Sequence, residues 1–239
     1  MFITFEGPEG SGKTTQIALL AETLREKGRE VVVTREPGGV PAAEAIRELV
    51  LHGRVWPETE ALLFLAARAE HMREVVLPAL ERGAVVVCDR FNDSTLAYQG
   101  YGLGLPVDRL RELCDFACTG RWPDLTLLLD LPPAAGLRRR FGGGVFEQLH
   151  LEIDLGEPAG RAEQGAGQAI NKMENRALDF HERVRQGFLT EAERAPGRIY
   201  RIEAARTVKQ VRQEIWRVVK SRLTAVAAET VPGAREETR

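Results

Sequence analysis

Short apolar runs alternate with longer amphipathic stretches along most of this chain. The runs predict five β-strands, at about 2–6, 30–34, 84–88, 125–130 and 198–202. Between them, apolar residues recur at helical spacing and predict helices at about 14–27, 41–52, 58–82, 106–119, 133–140, 173–194 and 207–222. Strands that alternate with helices in this way predict an α/β fold, in which a doubly wound parallel sheet is flanked by helices on both faces.

Two segments interrupt this pattern. Residues 141–170 are rich in glycine with several acids between, a composition that predicts a mobile excursion rather than a packed element. The polar stretch 223–239 predicts a disordered tail. We therefore expect a single domain over residues 1–222, with a mobile lid or insertion at about 138–172. Pro78 lies near the end of the third predicted helix, where we expect a kink or break.

Composition narrows the choice of partners. The 33 Lys and Arg residues nearly balance the 35 Asp and Glu residues, so neither nucleic acid nor an anionic membrane is an expected partner. No apolar stretch approaches the ~20 residues of a membrane span, and the N-terminus lacks a signal pattern. The three cysteines, Cys88, Cys114 and Cys118, are odd in number and predict buried, reduced thiols in a cytoplasmic protein.

Residues 7–14 read GPEGSGKT and match the P-loop pattern G-x-x-x-x-G-K-[ST] between a predicted strand and a predicted helix. Backbone N–H groups and the positive end of the helix would point at bound phosphate. Lys13 would reach the β and γ phosphates of a nucleoside triphosphate, and the Thr14 hydroxyl would ligate Mg²⁺. The triphosphate-binding residues expected here are Gly7, Pro8, Glu9, Gly10, Ser11, Gly12, Lys13, Thr14 and Thr15.

Two arginines indicate a second phosphate. Arg35 follows the second predicted strand and Arg90 the third, so both face the crevice beside the P-loop. They suit bidentate clamping of a phosphate, although arginines at loop starts can also be simply solvated. Asp89 ends an apolar run and suits the acid that orients Mg²⁺ through water; its alternative is a helix or turn cap.

A planar base is suggested more weakly. Phe64 and Arg68 lie four residues apart on one helix face and could offer a ring and a donor fork to a base. A core Phe beside a surface Arg is the ordinary alternative. Tyr98 and Gln99 add an aromatic ring and an amide shortly after Arg90.

Five segments together resemble bacterial thymidylate kinases: GPEGSGKTTQ, TREPGG, FLAAR, DRFNDSTLAYQG and NKMENRALDFHERVRQGFL. The resemblance covers about 1–140 and 171–219. It implies a P-loop NTPase fold with a five-stranded parallel sheet of order 2-3-1-4-5, and a homodimer packed through helices. It also implies transfer of the γ-phosphoryl group of MgATP to dTMP, which gives dTDP and ADP.

The resemblance further implies roles for individual residues. Phe64 would stack on thymine while Arg68 bonds the base edge, and Arg35 and Arg90 would hold the dTMP phosphate. Tyr98 would crowd the 2′ position of the sugar and so favour deoxyribose. The implied dTMP-binding residues are Glu9 at the 3′-hydroxyl, Arg35, Phe64, Arg68, Arg90, Ser94, Tyr98 and Gln99. Ala205 and Arg206 would border the adenine of ATP.

The lid departs from the family pattern. Members of this family carry an extra catalytic cation either in the P-loop or in the lid, and Gly10 leaves that task to the lid. Arg138 to Arg140 could supply it ahead of an inserted loop, Lys172 could replace the usual arginine, or Arg161 could fold over ATP. Lys is a point charge without the planar fork of Arg. The expected catalytic residues are Lys13, Arg90, Arg138, Arg139 and Lys172.

Two other functions remain open at this point. One is another small-molecule kinase on the same scaffold, for a different nucleoside monophosphate or for a deoxynucleoside. A nucleoside kinase would need a carboxylate base for a neutral hydroxyl, and Glu36 is a candidate. A P-loop switch would need no second anion pocket, and Asn171-Lys172 continues as Met173-Glu174 rather than as the guanine motif N-K-x-D. The paired arginines favour a kinase whose acceptor is itself a phosphate, and such an acceptor needs no general base.

Overall fold

A computed structural model describes the backbone of residues 1–53, 55–141 and 166–229, with side chains omitted at 140–141, 166–177 and 225–229. Its sheet has five parallel strands in the order β2-β3-β1-β4-β5, which confirms the predicted fold class and order. The strands are β1 (Phe2–Glu6), β2 (Val31–Arg35), β3 (Val85–Asp89), β4 (Leu125–Asp130) and β5 (Ile199–Glu203).

Helices cover both faces of this sheet. They are α1 (Lys13–Glu26), α2 (Pro41–His52), α3 (Pro57–His71), α4 (Leu77–Glu81), α5 (Asn92–Thr95), α6 (Val107–Ala117), α7 (Pro133–Phe141), α8 (Ala166–Arg194) and α9 (Val208–Glu229). Two π-helical segments, Met72–Val76 and Leu96–Gly102, continue α3 and α5.

Several predicted boundaries are wrong. The expected helix 58–82 is interrupted by Met72–Val76, one turn before Pro78. The proline ring excludes a regular bond to the carbonyl four residues earlier, so the backbone widens ahead of it. Residues 92–102 were not predicted as helical, because their polar and small side chains are mostly buried and show no amphipathic period.

Helix propensity also extends two elements beyond their predicted ends. α8 begins at Ala166 rather than at 173, and α9 ends at Glu229 rather than at 222. The added stretches AGQAI and AVAAE are rich in alanine, which outweighs one glycine in the first turn. The rest of the predicted excursion, 142–165, and of the predicted tail, 230–239, lies outside the described residues.

The two faces of the sheet have different characters. Ile3 and Phe5 pack with α1 and α9 in a wholly apolar cluster. The opposite face combines apolar residues such as Phe2 with buried polar ones. There the Thr4 and Thr126 hydroxyls are 2.8 Å apart, and Asp93 binds Arg198 through both carboxylate oxygens. A polar layer therefore lies on this face beside the middle of β1 and the starts of β4 and β5.

Cys88, Cys114 and Cys118 are free and buried, as predicted. Among the described residues, no helix combines the length and apolar character needed to cross a membrane.

Candidate active site

The P-loop connects β1 to α1 through glycines whose conformations other residues rarely adopt. Gly7, Gly10 and Gly12 have φ angles of 132°, 67° and 92°. A Cβ on Gly7 would lie 2.4 Å from the carbonyl oxygen of Leu129. No side chain of the described residues caps the start of α1, so its first N–H groups remain available to phosphate oxygens.

Lys13 is folded into this loop. Its Nζ donates to the carbonyl oxygens of Gly7 at 3.0 Å and Pro8 at 3.1 Å. Burial, followed by the nearby charge of Arg90, lowers the Lys13 pKa to about 8. A phosphate group would supply the negative charge that this desolvated ammonium lacks.

A cavity of about 420 Å³ lies beside α1, at the ends of β2 and β3. Thr14, Arg35 and Asp89 contribute to its lining, so the structure brings these predicted residues together. Asp89 Oδ1 is buried with no hydrogen-bond partner among the described residues. An unsatisfied carboxylate oxygen and a hydroxyl are the hard donors that Mg²⁺ prefers, so the residues present fit this ion.

Arg35 lies at the rim of the cavity. Its Nη2 donates to both carboxylate oxygens of Glu44 at 2.9 Å, and its Nη1 donates to the Pro37 carbonyl at 2.6 Å. The backbone N–H of Gly39 and then Arg35 itself lower the pKa of the exposed Glu44 carboxyl. Arg35 is therefore held by α2 in a position next to the crevice.

Arg90 follows β3 directly and has a φ of 69°, which is rare for a residue with a side chain. Its guanidinium pairs with Glu9 of the P-loop and donates to Ser94 Oγ at 3.2 Å. It also lies 4.9 Å from the centre of the Tyr98 ring. These contacts join the P-loop to the helical segment that follows β3.

Tyr98 faces Arg90 with one side of its ring and packs edge-on against Phe180 and Phe188. Burial raises its pKa to about 12, and its hydroxyl has no partner among the described residues. Gln99 donates to Glu60 at 2.7 Å. The Gln99 amide is therefore already hydrogen-bonded to α3, whereas the Tyr98 hydroxyl has no hydrogen bond to α3.

Glu6 supports Arg90 from behind, a role the sequence analysis did not identify. This fully buried carboxylate accepts from the backbone N–H of Phe91 at 2.7 Å and from Ser94 Oγ at 2.5 Å. Burial, then the charge of Asp93, raises its pKa to about 8. The sequence feature that could have indicated this role is an acidic residue at the end of an apolar strand.

Arg68 is 2% exposed, so the surface arginine considered above is wrong. Its Nε donates to Glu36 at 2.7 Å and its Nη2 donates to Thr95 at 3.1 Å. Phe64, half-buried, precedes it by one turn of α3. Glu36 also contacts His71, which the sequence analysis did not single out.

Just after β5, Arg139 of α7 donates to the carbonyl oxygens of Ala204 at 3.0 Å and Ala205 at 3.5 Å. Arg206 pairs with Glu203 and Glu214. Arg138 donates to Ala134 at 3.1 Å within its own helix. The side chains of the other lid candidates, Arg140, Arg161 and Lys172, lie outside the described residues.

Comparison with known proteins adds independent support. The family model for thymidylate kinase matches residues 5–154. The thymidylate kinase of Synechococcus sp. (strain JA-3-3Ab) is 49% identical over 94% of this chain and 98% of its own. The thymidylate kinase of Thermomicrobium roseum is 48% identical over 91% of this chain and 93% of its own.

A solved structure agrees with these sequences. The thymidylate kinase from Ehrlichia chaffeensis has a TM-score of 0.69 and 34% identity, and the match covers 92% of this chain and 98% of that one. Its fold therefore agrees with the sheet order found here. Fold, P-loop and sequence together show that this chain belongs to the thymidylate kinase family, the kinases that phosphorylate dTMP.

Proposed function

We propose that this chain binds MgATP at the P-loop and dTMP in the crevice beyond β2 and β3, and transfers the γ-phosphoryl group between them to give dTDP and ADP. The observation that carries the proposal is the placement of Arg35 and Arg90 at the ends of neighbouring strands. Lys13, the first residue of α1, lies beside them. Three cations thus converge where two polyanions must meet.

The reaction needs positioning and charge neutralisation rather than a base. A phosphate oxygen of dTMP is already ionised at neutral pH and can attack directly. Glu36, the candidate base of a nucleoside kinase, is buried and paired with Arg68 and His71. It has no free access to a substrate hydroxyl, which favours the phosphorylated acceptor.

Thr14 and Asp89 would hold Mg²⁺, which supplies positive charge to the β and γ phosphates when it is bound. The unpartnered Oδ1 of Asp89 supports this assignment. On the P-loop, the remaining ATP contacts would come from residues 7–15. Arg90 acts on the acceptor side, where its bond to Ser94 fixes its direction.

The base and sugar of dTMP would contact the helical elements on the other side of the crevice. Phe64 would stack on thymine and Arg68 would donate to the base edge. Tyr98 would exclude a 2′-hydroxyl, because its ring is held by Phe180 and Phe188. Glu9, Ser94 and Gln99 would complete the sugar and base contacts.

Adenine would lie against Ala205 and Arg206, in the loop to which Arg139 is bonded. The lid cation that acts on the transferred phosphoryl group would come from Arg138, Arg139 or Lys172. Support for α7 comes from its contact with the P-loop through Gly10 and Gly136. A movement of α7 would therefore displace the P-loop backbone at the proposed phosphate site.

We also propose a homodimer. Large apolar side chains are exposed on neighbouring helices, including Leu62 of α3 and Phe116 of α6, the latter 83% exposed. Exposed apolar area of this kind is typical of protein–protein interfaces. Sedimentation of the native chain and of Phe116→Glu tests it: the native chain should sediment as a dimer and the variant as a monomer.

A cytoplasmic location fits the same proposal. The three free thiols are buried, and burial raises their pKa values above the ordinary range. Unpaired cysteines are typical of proteins kept in a reducing compartment.

The direct test is ADP release from MgATP with dTMP, dUMP, UMP, dCMP, dGMP, AMP or thymidine as acceptor. Release with dTMP well above all others is expected, and Lys13→Ala should abolish it while leaving the fold intact. Preference for another acceptor would overturn the pocket assignment. ATP binding without release to any acceptor would instead indicate a nucleotide-binding regulator.

A further inference from the structure

Three buried side chains, Glu36, Arg68 and His71, and the half-buried Thr34 form a continuous hydrogen-bonded relay beneath the proposed base pocket. Thr34 Oγ1 lies 2.7 Å from His71 Nε2, and His71 Nδ1 lies 2.8 Å from Glu36 Oε1. Glu36 Oε2 in turn accepts from Arg68 Nε at 2.7 Å. His71 is 0% exposed, so it touches no substrate directly. We call these residues the Thr34–Arg68 relay.

The relay joins two elements that contribute to different parts of the dTMP site. Thr34 and Glu36 belong to the end of β2 and the loop after it, which also carries Arg35. His71 and Arg68 belong to α3, which carries Phe64. The loop is closely seated on this helix, because a Cβ on Gly39 would lie 3.0 Å from the His71 ring.

The geometry restricts Arg68 to one orientation. Each oxygen of Glu36 serves a different partner, so His71 fixes the plane of the carboxylate that binds Nε of Arg68. Thr95 accepts from Nη2 at 3.1 Å and holds the other end of the same guanidinium edge. The third nitrogen, Nη1, donates to Cys114 Sγ at 3.8 Å. Because the guanidinium is planar and rigid, these contacts together fix the directions of its remaining N–H groups.

The protonation pattern follows from the partners. His71 Nδ1 faces a carboxylate and therefore donates to it, while Nε2 meets a hydroxyl that can either donate or accept. A carboxylate that lost the His71 contact would be free to rotate about its own side-chain bonds. Arg68 would then lose its fixed direction while keeping its charge.

We propose that Glu36 and His71 are positioning residues that set the base selectivity of the kinase by orienting Arg68. The inference rests on the proposed contact of Arg68 with the base. Arg68 has only donors, so an oriented Arg68 selects a base with an acceptor oxygen at its edge over one with an amino group. His71 would thus control base selectivity without touching the base.

Two amide substitutions at position 71 distinguish the contributions of the two ring nitrogens of His71. In His71→Asn the amide nitrogen takes the place of Nδ1 and still donates to Glu36. In His71→Gln the longer side chain takes the place of Nε2 and reaches Thr34 instead. Glu36→Gln replaces one of the two acceptor oxygens by an amide donor, so the side chain can no longer accept from both Arg68 and His71. Glu70→Gln, an exposed position next to His71, is the matched control.

The experiment measures kcat and KM for dTMP and for 5-methyl-dCMP, which differ in an oxygen against an amino group at the base edge. The preference for dTMP, as a ratio of kcat/KM values, should fall about tenfold to a hundredfold in Glu36→Gln and His71→Gln. His71→Asn and Glu70→Gln should keep it. The KM for ATP should stay unchanged in all four variants.

Arg68→Ala distinguishes failure of the inference from failure of the proposed base contact. If Arg68→Ala leaves the preference unchanged, Arg68 does not read the base and the proposed contact is wrong. If Arg68→Ala removes the preference while Glu36→Gln and His71→Gln retain it, the relay does not orient Arg68. Equal losses for both substrates with a lowered Tm would show a purely structural relay and also overturn the inference. Should His71→Gln fail to fold, Glu36→Gln decides.

Discussion

Gly10 of the P-loop and Gly136 of α7 meet backbone to backbone. A Cβ on Gly10 would lie 2.1 Å from the carbonyl oxygen of Gly136, and a Cβ on Gly136 would lie 2.1 Å from that of Glu9. Position 10 therefore has no room for the arginine that some relatives were expected to carry there. The same contact fixes the first turn of α7 on the loop proposed to surround the phosphates of ATP.

Gly136→Ala should destabilise the protein by about 1–3 kcal/mol and raise the KM for ATP, because the added methyl group must displace the P-loop backbone. Urea unfolding and steady-state kinetics measure the two effects. Gly197→Ala is the control, since no heavy atom lies within 4 Å of its Cβ position. It should change stability by less than about 0.5 kcal/mol. Equal behaviour of the two variants would contradict the close contact.

Glu6→Gln should flatten the pH dependence of stability. Burial raises the Glu6 pKa from 4.5 to about 8, so between these values the folded state keeps a proton that the unfolded state has lost. The free energy of unfolding therefore falls as pH rises through this window, by at most about 1.4 kcal/mol per pH unit. Glutamine does not titrate and escapes this loss.

Urea unfolding of both proteins at several pH values between about 5 and 8 tests the Glu6 prediction. The stability difference between Glu6→Gln and the native chain should grow in favour of the variant toward high pH. Asp93 is the charged neighbour that acts most on Glu6 after burial, so Asp93→Asn should reduce the native slope. Parallel curves for native chain and variant would show that Glu6 is already ionised at low pH.

Phe64→Ala should raise the KM for dTMP about tenfold and leave the KM for ATP unchanged. The reason is loss of base stacking, for which alanine substitution costs about 1–3 kcal/mol in other systems. Phe64→Tyr keeps the aromatic face and should stay near the native value. An unchanged KM for dTMP in the alanine variant would remove Phe64 from the base pocket.

Arg139→Ala should lower kcat by up to ~10³-fold and raise the KM for ATP, with the KM for dTMP nearly constant. A lid cation acts on the transferred phosphoryl group, and this arginine also bonds the loop proposed to border adenine. Arg25→Ala is a suitable control, because Arg25 also donates to a carbonyl but lies in α1, at its far end from the P-loop. A change confined to the KM for dTMP would contradict the lid role.

The sheet was predictable from sequence because buried parallel strands are continuous apolar runs, as in Val85 to Val87 and Leu127 to Leu129. Their order was not, because alternation identifies elements but not neighbours; it came from the family resemblance. The P-loop and the two arginines were found because each follows a strand directly. These features depend only on local sequence.

The supporting contacts could not be predicted in the same way. Glu36 and Arg68 are 32 residues apart, and Glu6 and Ser94 are 88 apart, so no periodicity connects them. Asn92 to Thr95 form a buried polar turn of helix, the opposite of the pattern by which helices are recognised. Such contacts arise from the tertiary fold, and only structure reveals them.

Each of the three described cations at the proposed phosphate sites already has an acceptor within the protein. Lys13 is bound to P-loop carbonyls, Arg35 to Glu44 and Arg90 to Glu9. A phosphate group that binds here therefore competes with these acceptors and replaces them. Its binding free energy is consequently smaller than three unpaired cations would provide. When dTDP leaves, the same carboxylates can recapture the arginines. Exchange of this kind would let a strongly cationic site release a highly charged product and begin another turnover.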